Sequence, residues 1–202
     1  MSSLIYSHPT IYRLLMRLIY GGGGFAARYR ALSELIPDGA DVFEACAGDA
    51  YLYLHHLQAR GIRYRAGEYN EGFVAHARAR GIRMERFDLR SDPLPVADIV
   101  VLHASLYQFM PDHAAIVGRL LAAARRRLIV SEPVRNLSSS PNPLIRWLAQ
   151  RSADPGSGHK QQRFDEASLD AFFAEHYADA IEQSTLIPGG REKIYCLRGM
   201  AR

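Results

Sequence analysis

The sequence predicts a doubly wound α/β domain: a mostly parallel sheet with helices on both sides and an antiparallel hairpin near its C-terminal end. Three observations predict it. Short apolar runs alternate with stretches of helical periodicity from residue 25 to residue 131. Ile99, Val100, Val101 and Leu102 are apolar at successive positions, the pattern of a strand buried on both faces. Pro188-Gly189-Gly190 separates two β-like runs, 181–187 and 193–197, which marks a hairpin.

Near the N-terminus, Ile11, Leu14, Leu15, Leu18 and Ile19 recur at helical spacing, with Arg13 and Arg17 on another face. The arginines exclude a signal peptide, and the stripe predicts an amphipathic cap helix. Gly21 to Gly24 form a hinge, so the chain divides into a cap with its hinge (1–24) and a main domain (25–202). A helix follows over 25–36, stopped by Pro37-Asp38-Gly39, then a short strand over 41–45. A helix over 51–60 ends at Gly61, and a strand runs over 63–67. Asn70 is a plausible N-cap for a helix reaching Arg80 and closed by Gly81. Residues 82–87 alternate polar and apolar, as a strand near a sheet edge does. The buried strand spans 97–103, a helix 111–123, and a further buried strand 128–131. Arg125-Arg126-Arg127 then reads as a solvated helix end. Residues 133–143 and 152–163 read as loops around a short helix at 144–151, and an amphipathic helix spans 165–177.

The composition excludes several classes. Of 202 residues, 48% are hydrophobic and 23% charged, which is neither a disordered chain nor a fibre. No apolar run approaches the ~20 residues that cross a bilayer. The net charge of +4 comes from arginines spread along the chain, with lysine only at Lys160 and Lys193, so a nucleic-acid face is not expected. Two distant cysteines, Cys46 and Cys196, make neither a disulfide framework nor a zinc motif, and a reducing, cytoplasmic compartment is the simplest reading. His55 and His56 are adjacent on a helix and point to different faces, a poor metal pair. No metal is expected.

The chemistry concentrates where strands end. The first strand runs into Glu44-Ala45-Cys46-Ala47-Gly48-Asp49-Ala50, a turn of small residues that lets a ligand approach the backbone. A carboxylate there repels a phosphate and favours a cationic or amine-bearing ligand. The second strand ends in Glu68-Tyr69, one β-α-β unit later, where an acid can accept hydrogen bonds from both hydroxyls of a ribose. The third ends in Asp88-Leu89, an acid beside an apolar residue that can hold an adenine. The fourth ends in His103-Ala104-Ser105-Leu106-Tyr107. The ends of successive parallel strands converge on one crevice.

These residues resemble the class I S-adenosylmethionine-dependent methyltransferases, over about residues 25 to 198. Glu44 to Ala50 looks like the family's acidic, glycine-rich first motif, Glu68 like its ribose-binding acid, and Asp88 with Leu89 like its adenine site. Asp98 to Tyr107 resembles the fourth-strand region beside the methyl group. The hairpin resembles the antiparallel seventh strand that separates this family from dinucleotide-binding Rossmann proteins. The resemblance implies a seven-stranded Rossmann-like methyltransferase sheet with a helical cap, in a single-domain enzyme of the small-molecule type. It implies S-adenosylmethionine as methyl donor, with S-adenosylhomocysteine as product. Glu44, Cys46, Ala47, Gly48, Asp49, Glu68, Tyr69, Asp88, Leu89, His103 and Ala104 would hold it. The family's three glycines are here Cys46, Gly48 and Ala50. Small side chains keep the approach open at negative φ, whereas a positive φ at either would strain the backbone.

Direct displacement at an activated methyl needs mainly alignment and exclusion of water. A hydroxyl or amine acceptor also needs a base. His103 is the first candidate, with Tyr107 and His159 behind it, and a satisfied strand-end histidine is the alternative reading of His103. A non-catalytic relative and a nicotinamide-dependent oxidoreductase are the rivals. The second would want a fuller glycine fingerprint and no hairpin.

Overall fold

A computed structural model describes residues 24–135 and 163–201. The predicted cap helix, the short helix at 144–151, most of both predicted loops, and His159 lie outside the described residues. Seven strands form one sheet: β1 (Asp41–Ala45), β2 (Arg63–Glu68), β3 (Met84–Arg86), β4 (Ala97–His103), β5 (Ala124–Pro133), β6 (Ile181–Leu186) and β7 (Glu192–Arg198). Their order is β3-β2-β1-β4-β5-β7-β6. The first five strands are parallel. β7 enters antiparallel beside β5 and pairs antiparallel with β6 on its other side. This is the Rossmann-like methyltransferase fold.

Alternation along the strands builds two cores. Val42, Ile99, Val101, Ile129 and Cys196 face one way. Phe43, Val100, Leu102, Leu128, Val130 and Leu197 face the other. The first face is covered by α1 (24–34), α2 (51–60) and α3 (Glu71–Arg78), through Leu32, Leu52, Leu57, Val74 and Ala77. The second is covered by α4 (His113–Ala123) and α5 (Glu166–Tyr177), through Ile116, Val117, Leu120, Leu169 and Phe173. Local chemistry sets several boundaries. Gly61 closes α2 at φ +65°. Asn70 caps α3 by accepting from Gly72 N and Phe73 N. Asp165 and Ser168 form a reciprocal cap on α5.

Three details depart from the sequence reading. The centre of α2, Tyr53–Leu57, is a π-turn that tightens to 3₁₀ at Gln58–Arg60. β5 begins at Ala124, so the three arginines lie inside a strand and not at a helix end. Acids on other strands account for two of them: Arg125 lies 3.5 Å from both Asp41 of β1 and Asp98 of β4, and Arg127 2.8 Å from Glu182 of β6. Gly24, assigned to the hinge, is the first residue of α1. Both cysteines are free thiols. Among the described residues, no helix is long and apolar enough to cross a membrane.

Candidate functional site

A cavity of about 720 Å³ opens at the C-terminal ends of β1 to β4. A crevice of this size holds a drug- or nucleoside-sized ligand. Glu44, Cys46, Ala47, Gly48 and Asp49 border it from the β1 turn, and Glu68 and Tyr69 from β2. Asp88 and Leu89 border it after β3, and His103, Ala104 and Tyr107 after β4. Every sequence-predicted site residue among those described therefore faces one hollow.

The acids differ in how they are held. Glu68 accepts from Gly48 N and from Asn70 N, each at 2.9 Å, so it stitches the end of β2 to the β1 turn. Each carboxylate oxygen keeps a further lone pair for a ligand hydroxyl. Burial pushes the Glu68 carboxyl above its ordinary range, against the pull of those backbone N–H groups. Glu44 is deeper. It accepts from the Tyr64 hydroxyl at 2.6 Å. Burial first, then the charges of Asp49 and Glu68, raise it to about 8 despite that hydrogen bond. Asp88 accepts from Arg90 N at 2.9 Å, and its own N–H donates to Asp92 at 2.8 Å, which fixes the β3 turn. Tyr69 is an exposed rim residue with the Arg86 guanidinium 4.9 Å from its ring centre.

The backbone of this site is strained. Cys46, Gly48 and Ala50 have φ of +55°, +55° and +56°, and Ala104 has φ +50°. The positions where small side chains replace glycine are thus left-handed and not at negative φ. Each such non-glycine residue costs on the order of 1–3 kcal/mol and persists because the surroundings dictate it. Burial drives the Cys46 thiol well above the ordinary range, which disfavours the nucleophilic thiolate.

At the β4 end, sequence reasoning missed a buried polar cluster. Arg28 on α1 is 2% exposed and donates to Glu192 of β7 at 2.8 Å. The second oxygen of Glu192 accepts from the Ser131 hydroxyl at 3.2 Å and lies 3.3 Å from His103 Nε2. The Tyr29 ring packs edge-on to His103 at 4.9 Å. Burial, joined by the Arg28 charge, lowers the His103 pKa, with Glu192 opposing both. Burial also opposes ionisation of Glu192, but Arg28 and its hydrogen bonds hold it at about 2. One signal for Arg28 was available: it falls on the apolar stripe Phe25-Tyr29-Leu32-Ile36. None existed for Glu192, which joins the cluster only through the β5–β7 register. Glu132, also missed, is 1% exposed and accepts from Ser105 N and Leu106 N, each at 2.6 Å. It braces the turn that carries Ala104. Tyr107 sits under Arg163, whose guanidinium carbon is 4.1 Å from its ring centre.

Comparison with known proteins agrees with this geometry at the level of fold. No protein-family model and no curated protein sequence matches the chain. Solved structures do match it. The magnesium protoporphyrin IX methyltransferase from Synechocystis PCC 6803, with bound S-adenosylhomocysteine, is similar at a TM-score of 0.57 and 17% identity, over 86% of this chain and 80% of that one. An S-adenosylmethionine-dependent methyltransferase from Mesorhizobium loti is similar at a TM-score of 0.62 and 17% identity, over 85% of this chain and 97% of that one. The cyclase SpnF is similar at a TM-score of 0.62 and 14% identity, over 88% of this chain and 82% of that one. The chain is thus structurally similar to class I S-adenosylmethionine-dependent methyltransferases, mostly of the small-molecule type, at low sequence identity.

Proposed function

We propose that the cavity binds S-adenosylmethionine and that the protein transfers its methyl group to a small-molecule acceptor by direct displacement. The observation that carries this reading is the convergence of Glu44, Glu68 and Asp88, from three strand ends, on one cavity of matching size. Glu68 would accept from the ribose hydroxyls, and Asp88 with Leu89 would hold the adenine. Glu44 and Asp49, behind the left-handed turn, would face the ammonium and sulfonium charges. The bound sulfonium supplies a methyl already activated for transfer. The chain's own task is then to align the acceptor and exclude water. A reducing, cytoplasmic setting belongs to this reading, and two free thiols, Cys46 in the turn after β1 and Cys196 on β7, support it.

Calorimetric titration with S-adenosylmethionine and S-adenosylhomocysteine tests it. Saturable binding of both is expected, and a flat titration at millimolar ligand removes the enzyme reading. A second reading keeps the fold as a binding module or for another reaction. The strained Cys46 and Ala50 favour it, as does a cyclase sharing the architecture. Binding without any turnover of S-adenosylmethionine would favour this second reading. The nicotinamide alternative finds little support, because β7 lies antiparallel between β5 and β6.

A further inference from the structure

We propose that Glu192 is a positioning residue that presents His103 to the cavity as a base, so that the site serves an acceptor which must lose a proton, a hydroxyl or an amine. The inference rests on the methyl-transfer reading and specifies its substrate class.

The argument is geometric. His103 closes β4 at the cavity wall, and its Nε2 lies 3.3 Å from Glu192 Oε2. An ionised carboxylate can only accept, so Nε2 carries the proton and Nδ1 keeps a lone pair. With Nε2 turned to the protein interior, Nδ1 is the nitrogen left for a molecule in the cavity. Glu192 cannot swing away, because Arg28 holds its other oxygen at 2.8 Å and Ser131 donates to the shared one at 3.2 Å. The groups facing His103 are Arg28 and Tyr29 from α1, Ser131 from β5 and Glu192 from β7. Burial and the nearby Arg28 cation lower the His103 pKa against the pull of Glu192, which favours the neutral imidazole, the form a base needs.

The step balances. The acceptor's lone pair forms a bond to the methyl carbon as the carbon–sulfur bond breaks, and that electron pair stays on sulfur as a neutral thioether. The acceptor proton passes to His103 Nδ1. Glu192 stabilises the resulting imidazolium, which returns its proton to water.

Nitrogen-15 histidine spectra of the whole protein test the pair without any acceptor. His103 should be neutral at pH 7 with its proton on Nε2. A charged ring, or a proton on Nδ1, overturns the proposal. In Glu192→Gln the His103 midpoint should move to lower pH, and in Arg28→Met to higher pH. An unmoved midpoint in both folded variants reduces Glu192 to a packing residue and overturns its role. Transfer from tritiated S-adenosylmethionine to phenols and primary amines, against pyridines and thioethers, tests the substrate class. Label should enter the first two, with a rate at least tenfold lower in Glu192→Gln, partly restored in Glu192→Asp. Label only in the proton-free acceptors, or in none while S-adenosylhomocysteine binds, overturns the class. Failure of S-adenosylhomocysteine to bind sinks the methyltransferase reading instead, and the tautomer measurement tells the two failures apart.

Discussion

The two ends of the sheet treat their acids in opposite ways. At the end where β1 and β4 begin, Asp41 pairs with Arg65 at 3.0 Å and with Arg125 at 3.5 Å. Asp98 there meets Arg125 at 3.5 Å and accepts from Asp41 N at 3.2 Å. Each negative charge has a cation beside it and water nearby. At the other end, Glu44 is 3% exposed, has a tyrosine hydroxyl as its hydrogen-bond partner, and carries a carboxyl raised to about 8. The backbone around it is left-handed at residues that dislike that conformation. One end is arranged for the fold's own cohesion. The other holds strain and desolvated acids, features that gather at functional sites.

Substitutions at the two ends should therefore diverge. Glu68→Ala should weaken S-adenosylhomocysteine binding the most, by about 2–4 kcal/mol for two charge-assisted hydrogen bonds, or thirtyfold or more. Unchanged affinity in calorimetry would mean the ribose is misplaced. Glu44 should make the ligand-free protein less stable as pH rises. Its folded-state pKa of about 8 lies above the ordinary 4.5, so the folded protein keeps a proton that the unfolded chain has lost. Stability falls across that window. Glu132, also raised to about 8, adds a second such slope. Denaturant titrations of Glu44→Gln should show roughly half the fall, and an identical pH profile would contradict the burial argument. Ala50→Gly, which relieves a left-handed alanine, should stabilise the protein by about 1 kcal/mol without weakening ligand binding. A lower melting temperature would show that the backbone there is not strained. Arg125→Ala, at the paired end, should cost about 0.5 kcal/mol and leave S-adenosylhomocysteine affinity untouched. A tenfold change in that affinity would break the contrast between the ends.

The sequence made the architecture readable because each element carried its own signal. Alternation placed Val42 and Phe43 on opposite faces, Asn70 and Gly61 fixed helix ends, and Pro188-Gly189-Gly190 announced the hairpin. The acids at strand ends were readable for the same reason, since parallel strands bring their C-terminal ends to one side whatever the intervening helices do. What could not be read depended on register or on backbone angle. Glu192 meets His103 across 89 residues only because β7 slots in beside β5 with Ser131 opposite Ile194. The positive φ of Cys46 and Ala50 has no trace in residue type, since neither residue favours it. The arginine run was misplaced because its counter-charges, Asp41, Asp98 and Glu182, come from other strands.

The Arg28–Glu192 contact has a consequence for how the protein is made. Arg28 leaves the ribosome more than 160 residues before its partner, yet both are buried together. Until β7 threads into its slot, the nascent polypeptide carries a guanidinium and an imidazole with no carboxylate between them. The buried cluster behind His103 is therefore completed late in synthesis, with the insertion of β7.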